Sequence, residues 1–419
     1  MEFYAGILLY VIPGFSALLV IEILYGHIRK NQTYKLMDTL SSLSSGITNI
    51  LKDSLGIIFI IISYPFLVEI LSIGEIESSL TIYITAFICI DFASYWGHRL
   101  SHKINLFWNK HVIHHSSEEF NLACALRQSI STIIGFRSIF LIPAAIIGLP
   151  AEIIITLTPL HLFAQFWYHT QHIGKLGFIE YIFVTPSQHR VHHAINSKYI
   201  DKNLSAIFCV WDRLFGTFQE ELKDEPPVYG VLKPVRSWNP VWINFQHFFF
   251  LFKDAWYAKK WKDKFIIWFM PTGWRPKDVS IKFPIKILEN IKNYKKYDPK
   301  YTNLLKFIAI FHFMSVNILL IYFLSNFKEL NHTYRIVFGF MIFISVFGYT
   351  SLMDGYWWSR KFEIFRGLLF ILIVMFIETY FNQINKELNI YLFFYGIATI
   401  SLTIKSNNQI PLRYSYLDD

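Results

Sequence analysis

The sequence predicts an all-α protein that crosses a membrane about nine times, judged by apolar runs of about 20 residues. Two features of composition carry that expectation. Of 419 residues, 53% are hydrophobic, above the roughly 45–50% apolar usage of soluble domains. The chain also holds 41 Phe, 24 Tyr and 12 Trp, and Trp and Tyr collect at membrane–water interfaces. A third feature, eleven of the fifteen histidines packed between His98 and His193, predicts what the helices hold.

Taken in order, the apolar runs lie at 5–25, 53–72 and 80–97, then 133–149 with 152–168, then 303–325, 336–352, 365–382 and 390–405. The first has no basic region before it and no small-residue cleavage site, so it reads as a retained membrane helix rather than a cleaved signal. The fourth and fifth are joined by Gly148-Leu149-Pro150, a link short enough for a helical hairpin that need not span fully. The expected organisation is N-terminal membrane helices at 1–79 and a histidine-bearing core at 80–220. A basic, aromatic-rich cap follows at 221–302, then C-terminal membrane helices at 303–419. Three cysteines without a C-x-x-C pair imply neither a disulfide framework nor a zinc ribbon.

Charge orients the chain. Residues 173–302 hold 21 Lys and Arg against 12 Asp and Glu, a surplus equal to the whole net charge of +9. The first loop is basic (His27, Arg29, Lys30, Lys35), whereas Glu75 and Glu77 make the next one acidic. Lys- and Arg-rich loops stay in the cytoplasm, so the N-terminus is expected outside and the histidines inside. The basic surplus is interleaved with Trp256, Trp261, Trp268 and Trp274. That mixture suits a segment lying on an anionic leaflet, and nucleic acid is rejected as a partner.

The histidines recur at helical spacing: His98 and His102; His111, His114 and His115; His169 and His172; His189, His192 and His193. Residues three or four apart share a helix face, and imidazole is the commonest neutral metal ligand. Ten such nitrogens suffice for two metals with open positions. Isolated histidines are more often structural, so His27, His247, His312 and His332 are assigned to packing, and His161 to the core of its apolar helix, with a supporting role behind a ligand as its alternative. All-imidazole sites suit Fe, Zn, Cu or Ni, and ligand chemistry alone does not choose among them.

Four other residues are candidates for the site. Asp91 and Tyr95 share a face with His98 and His102. A carboxylate inside a membrane helix is costly, and a ligating histidine commonly donates its second N–H to one. Asp91 is too far along its own helix to reach His98, so a histidine on another helix is its expected partner; the plainer alternative is a bond to a neighbouring helix. Glu118 and Glu119, just after His114 and His115, are placed to offset metal charge or to cap a surface helix.

At these residues the chain resembles the fatty acid hydroxylase/sterol desaturase superfamily, whose H-x3-H, H-x2-H-H and H-x2-H-H boxes it matches in order. Residues 114–128, 165–170, 185–193, 201–203 and 211–218 are most similar to its alkylglycerol monooxygenase branch. The resemblance covers about residues 35–280. It implies a cytoplasmic di-iron centre on His98, His102, His111, His114, His115, His169, His189, His192 and His193, with His172 a weaker candidate. It implies O2-dependent hydrogen abstraction from an unactivated C–H bond of a lipid and return of a hydroxyl. For an ether lipid this yields an aldehyde and a glycerol derivative. Tetrahydrobiopterin is implied as reductant in that branch, and a cytochrome or ferredoxin partner in its relatives. No Rossmann or c-type haem motif is visible in the chain.

Two alternatives stand beside that expectation. One is a hydroxylase or desaturase of fatty acyl, carotenoid or sterol-like substrates fed by a protein electron donor. The other is a membrane metal transporter or zinc-holding protein, against which the cationic surroundings Arg99, Lys103, Lys110 and Arg190 argue. With no retention signal in Tyr416-Leu417-Asp418-Asp419, a bacterial plasma membrane is favoured over the endoplasmic reticulum.

Overall fold

The computed structural model describes residues 2–57, 59–60, 62–74, 76, 79–132, 134–135, 137–288, 290–380 and 386–406. Among them the regular structure is helical, apart from a two-residue parallel pairing of Phe59–Ile60 with Ile134–Gly135. The all-α expectation stands.

Five of the described helices are long and apolar enough to cross a membrane: Tyr4–Ile28, Leu80–Lys103, Asn303–Ser325, His332–Met353 and Lys386–Lys405. A sixth long helix, Ser359–Tyr380, carries Arg360, Lys361, Glu363 and Arg366. The expected run at 53–72 forms no single helix. Helix Leu36–Ser54 stops, Gly56 takes a φ of +68°, and a new helix Tyr64–Leu71 starts behind Ser63. The Ser63 hydroxyl accepts the Phe66 N–H, and Pro65 occupies the first turn, where its missing N–H costs nothing.

The pair 133–149 and 152–168 also departs from full spans. Its described parts are a tight turn Arg137–Leu141, a helix Ile142–Ile147 and a 13-residue helix Ala151–Phe163. Thirteen residues at 1.5 Å each reach about 20 Å, short of the roughly 30 Å hydrocarbon core. Gly148 turns the hairpin at φ +83°, where a Cβ would lie 2.2 Å from the Gly74 carbonyl oxygen. Only glycine fits both constraints.

Two apolar cores position the histidines. In the first, the C-terminal helices pack in chain order and bury Leu319, Phe323, Met341, Phe370 and Leu392 together with Met37, Leu40, Ile47 and Leu51. Between membrane-length helices such contacts stabilise through close van der Waals packing rather than removal from water. Helix Leu36–Ser54 is therefore the joint between the C-terminal bundle and the histidine region. The second core packs Leu80–Lys103 on Tyr64–Leu71 and the re-entrant hairpin through Leu67, Ala86, Ile90, Ala144 and Ile153.

The segment 221–302 folds over this assembly through helix Pro240–Tyr257 and the short helices Trp261–Ile266 and Lys277–Lys282. Buried amides fasten it. Asn105 Nδ2 donates to the Ile267 carbonyl at 3.0 Å, Asn109 Oδ1 accepts Phe248 N–H at 2.9 Å, and Asn244 Oδ1 accepts Ile130 N–H at 3.0 Å.

Candidate metal centre

The four histidine groups come from different elements. His98 and His102 end helix Leu80–Lys103, and His111 to His115 form the turn after it. His169 follows the re-entrant hairpin, and His189 and His192 lie in helix Pro186–His192, with His193 as its cap. Their ring nitrogens converge into two clusters, each with its nitrogens within 4.8 Å of one another. One holds His98, His102, His111, His115 and His192; the other holds His114, His169, His189 and His193.

The partition follows helix geometry. His98 and His102, His111 and His115, and His189 and His193 are pairs four residues apart, and each pair enters one cluster. Adjacent residues point about 100° apart on a helix. His114 and His115 accordingly enter different clusters, as do His192 and His193. Each H-x2-H-H box thus feeds both clusters, which holds the two side by side.

The donors fit a metal. Nε2 of His98 lies 2.8 Å from Nε2 of His111, which is 3.0 Å from that of His115. In the other cluster Nε2 of His189 lies 2.9 Å from His169 and 3.1 Å from His193. Two ligands at about 2.1 Å from one ion and at right angles stand about 3.0 Å apart. Nε2 of His102 and of His192 are buried and have no hydrogen-bond partner, a costly state for a polar atom that coordination relieves. Burial, reinforced by the surrounding imidazoles, pushes His111, His115, His189, His192 and His193 well below the usual imidazole range. His114 and His169 fall to about 3, again mainly through burial. The rings are neutral, with lone pairs available to a cation.

Backbone carbonyls set which nitrogen faces inward. Nδ1 of His98 donates to Leu204 O at 2.8 Å, Nδ1 of His192 to Lys202 O at 3.0 Å and Nδ1 of His169 to Gln165 O at 3.1 Å. Each leaves Nε2 as the donor toward the cluster, the usual outer arrangement of a metal-binding histidine.

The remaining sequence candidates lie elsewhere. His172 belongs to neither cluster; its ring stands edge-on to Tyr25 at 5.1 Å. Asp91 does meet a histidine of another helix, His161, at 2.7 Å. It also accepts the N–H groups of Ile207 and Phe208 and the indole N–H of Trp211 at 2.8–3.0 Å. It pins the 205–211 loop and reaches no clustered imidazole. The Tyr95 hydroxyl lies 3.0 Å from Thr217 Oγ1 and accepts from Arg99 at 2.8 Å. Glu118 accepts the Tyr297 N–H and the Tyr294 hydroxyl, and Glu119 pairs with Lys296 at 2.7 Å. Burial pushes both glutamates up. They line a cavity of about 250 Å³ that Ser116, the residue after His115, also borders.

The Fatty acid hydroxylase family profile matches residues 83–217, the stretch that carries every clustered histidine. Alkylglycerol monooxygenase of Homo sapiens is 34% identical over 305 residues, 72% of this chain and 67% of the relative. The chain belongs to the fatty acid hydroxylase family. Alkylglycerol monooxygenases of Xenopus tropicalis and Danio rerio are 33% and 31% identical over similar shares, again 72% of this chain and 67% of each relative. No solved structure matches the chain.

Four supporting residues of this chain escape a reading by motif spacing. Glu22, inside the first apolar run, is 6% exposed. It accepts Leu122 N–H at 2.8 Å and the hydroxyls of Tyr34 and Thr170, tying the first helix to the loops beside His115 and His169. A carboxylate in an otherwise uncharged run was the available signal. Asp38, Arg127 and Asp212 act between segments distant in sequence. Asp212 accepts the N–H groups of Leu204 and Ser205 at 2.7 and 2.9 Å.

Proposed function

We propose that this chain is a membrane di-iron monooxygenase that hydroxylates the ether-linked carbon of an alkylglycerol. It is an O2-dependent lipid monooxygenase, hence an oxidoreductase. The paired nitrogen clusters carry the di-iron reading: nine neutral imidazoles in groups of five and four, six of them buried and three (His98, His111 and His114) half-buried. His98, His102, His111, His115 and His192 would hold one iron, and His114, His169, His189 and His193 the other. When bound, the irons supply O2 reduction and C–H oxidation. Residues 80–220 form the core, and residues 221–302 the cap, of this arrangement.

The protein's own contribution is orientation, dryness and lipid access. Carbonyl-anchored Nδ1–H groups hold the rings in place, and Phe120 and Tyr168 pack against His169, His189 and His193 at ring distances of 4.2–6.1 Å. These apolar faces keep water from the oxidised carbon. Trp167, whose ring neighbours that of Tyr168 at 6.2 Å, is 42% exposed, and Leu160 and Phe163 of the preceding helix are 57% and 52% exposed. Exposed apolar side chains there suit an alkyl chain entering sideways from the bilayer.

One oxygen atom of O2 enters the C–H bond; the other leaves as water after two electrons and two protons are delivered. Hydroxylation beside the ether oxygen gives a hemiacetal, which collapses to a fatty aldehyde and a free glycerol hydroxyl. The electrons come from tetrahydrobiopterin in this reading, with a cytochrome or ferredoxin-type donor as the alternative. The basic first loop (His27, Arg29, Lys30, Lys35) and the positive balance of residues 173–302 support a reading with the site on the cytoplasmic side and the N-terminus outside; a bacterial plasma membrane is the preferred setting of this reading. The clustered histidines beyond His102 lie outside the membrane-length helices, which disfavours a metal-conducting path.

Mass spectrometry of purified, iron-loaded protein given an alkylglycerol, O2 and tetrahydrobiopterin tests the reading. Fatty aldehyde that appears only with the pterin is the expected result. With two irons bound and no aldehyde, the combination of ether lipid with pterin fails, in favour of another lipid or a protein donor.

A further inference from the structure

Three residues of one four-residue turn, Asp201, Lys202 and Leu204, supply outer partners to one cluster alone. Asp201 Oδ1 lies 3.3 Å from Nδ1 of His102, Lys202 O accepts from His192 at 3.0 Å, and Leu204 O accepts from His98 at 2.8 Å. Three of the five imidazoles in that cluster therefore depend on one turn. The turn is built to hold its shape. Asp201 and Asn203 take φ of +58° and +51°, the left-handed region that Asp and Asn tolerate best among residues with a side chain. Asn203 is 2% exposed, donates to the carbonyls of Gln188 and Gln219 at 2.9 and 2.8 Å, and accepts Gln219 N–H at 2.9 Å. Asp212 clamps the far end through Leu204 and Ser205.

The other cluster is supported differently. His169 has the Gln165 carbonyl, but Nδ1 of His189 is buried without a partner. Among the described residues no carboxylate is hydrogen-bonded to His114, His169, His189 or His193. Among the described residues, the sole carboxylate paired with a clustered imidazole is that of Asp201. A negative charge beside an imidazole raises its basicity and offsets the cation it binds. Five donors and this carboxylate favour an ion more than four neutral donors do.

Building on the dimetal reading above, we propose that the two metal sites are unequal. Asp201 is a positioning residue that makes the five-histidine site the tighter one, and the four-histidine site is the one that empties first. Loss of an outer carboxylate typically lowers metal affinity by roughly 10–100-fold.

The test is stepwise removal of 57Fe from the full-length protein with a chelator, read by iron per chain and by Mössbauer spectra. Wild type should lose iron in two separated steps, with one spectral component going first. Asp201→Asn keeps the backbone preference and an acceptor oxygen but removes the charge. Its tighter step should weaken by roughly 10–100-fold and merge with the weaker one. The Mössbauer component of the retained iron should shift, a change that a merely structural role would not produce. Lys103→Ala removes the second partner of Asp201, which lies 2.6 Å away, and serves if Asp201→Asn does not accumulate. It should hold the tighter iron at least as firmly as wild type, and a looser tight step would overturn the proposal. Two irons leaving wild type together, or Asp201→Asn retaining both with wild-type affinity and spectrum, would also overturn it. Wild type that binds no iron would instead overturn the dimetal reading itself.

Discussion

Arg127 Nη2 donates to Asp38 Oδ1 at 2.6 Å, with the arginine 2% and the aspartate 3% exposed. The same guanidinium reaches Ser42 Oγ at 2.9 Å and Ser116 Oγ at 2.8 Å, while Ser117 Oγ donates to Asp38. The pair therefore clasps the turn carrying His114 and His115 to helix Leu36–Ser54, and through that helix to the C-terminal bundle. Removing one partner strands a buried charge, which costs about 3–5 kcal/mol. Arg127→Met should lower the unfolding temperature in detergent and reduce iron content. Arg127→Lys should rescue little, because one ammonium cannot reproduce three directed N–H bonds. A wild-type melting curve for Arg127→Met would remove the clasp from the account.

The nitrogen clusters predict which histidines matter and for which ion. His114→Ala should strip the four-histidine cluster, and His192→Ala should loosen the five-histidine one to about the level of its neighbour. The first variant should retain about one iron per chain and the second should lose iron more readily than wild type; both should insert in the membrane and lose activity, because two-metal chemistry needs both ions correctly held. His172→Ala should keep both irons, since its ring lies outside both clusters. Elemental analysis of the three purified variants checks this, and loss of both irons from His172→Ala would redraw the ligand set.

Much of this site was legible in the sequence because helical spacing is local. His98 and His102 are four apart, and that fixes their shared face whatever the rest of the chain does. The split of His114 from His115 was not read out, although rotation between neighbours contains it. What it lacked was the position of the partner elements. Asp38 and Arg127 are 89 residues apart, and no periodicity links them. The run 53–72 misled for another reason. Hydropathy does not register Gly56 and Pro65, whose backbone preferences end one helix and begin another.

The C-terminal helices bury a second polar cluster. Arg366 and Glu363 are both 0% exposed and lie 2.7 Å apart. Arg366 also donates to Ser345 Oγ and Tyr395 OH at 3.1 Å, and His312 Nδ1 lies 3.0 Å from that tyrosine hydroxyl. Helices Asn303–Ser325, His332–Met353, Ser359–Tyr380 and Lys386–Lys405 are thereby joined through side chains. Glu363→Gln should destabilise the bundle by about 3–5 kcal/mol. Gly348→Ala should do so too, because a Cβ at Gly348 would lie 1.9 Å from Glu363 Oε1. Thermal denaturation of both variants, with iron content unchanged at low temperature, is the expected outcome; an unaltered melt of Gly348→Ala would show that Glu363 has room to move.

The cap makes the last prediction. Trp256 and Trp261 are 80% and 72% exposed, and Phe265 and Phe269 beside them are 66% and 68% exposed. Large aromatics left uncovered next to lysines suit the headgroup boundary of a bilayer, where the ring is apolar and its N–H is wet. Lys264 lies 5.7 Å from the Trp261 ring, keeping a cation at the same level for an anionic leaflet. In nanodiscs of brominated lipid, fluorescence from these two tryptophans should be quenched. The double variant Trp256→Ser/Trp261→Ser should lose that quenched component while retaining its iron. Its turnover of a membrane-embedded lipid should fall, whereas turnover of a detergent-dispersed lipid should change little. Equal quenching in the double variant would place the cap away from the bilayer and leave its basic face to a soluble partner.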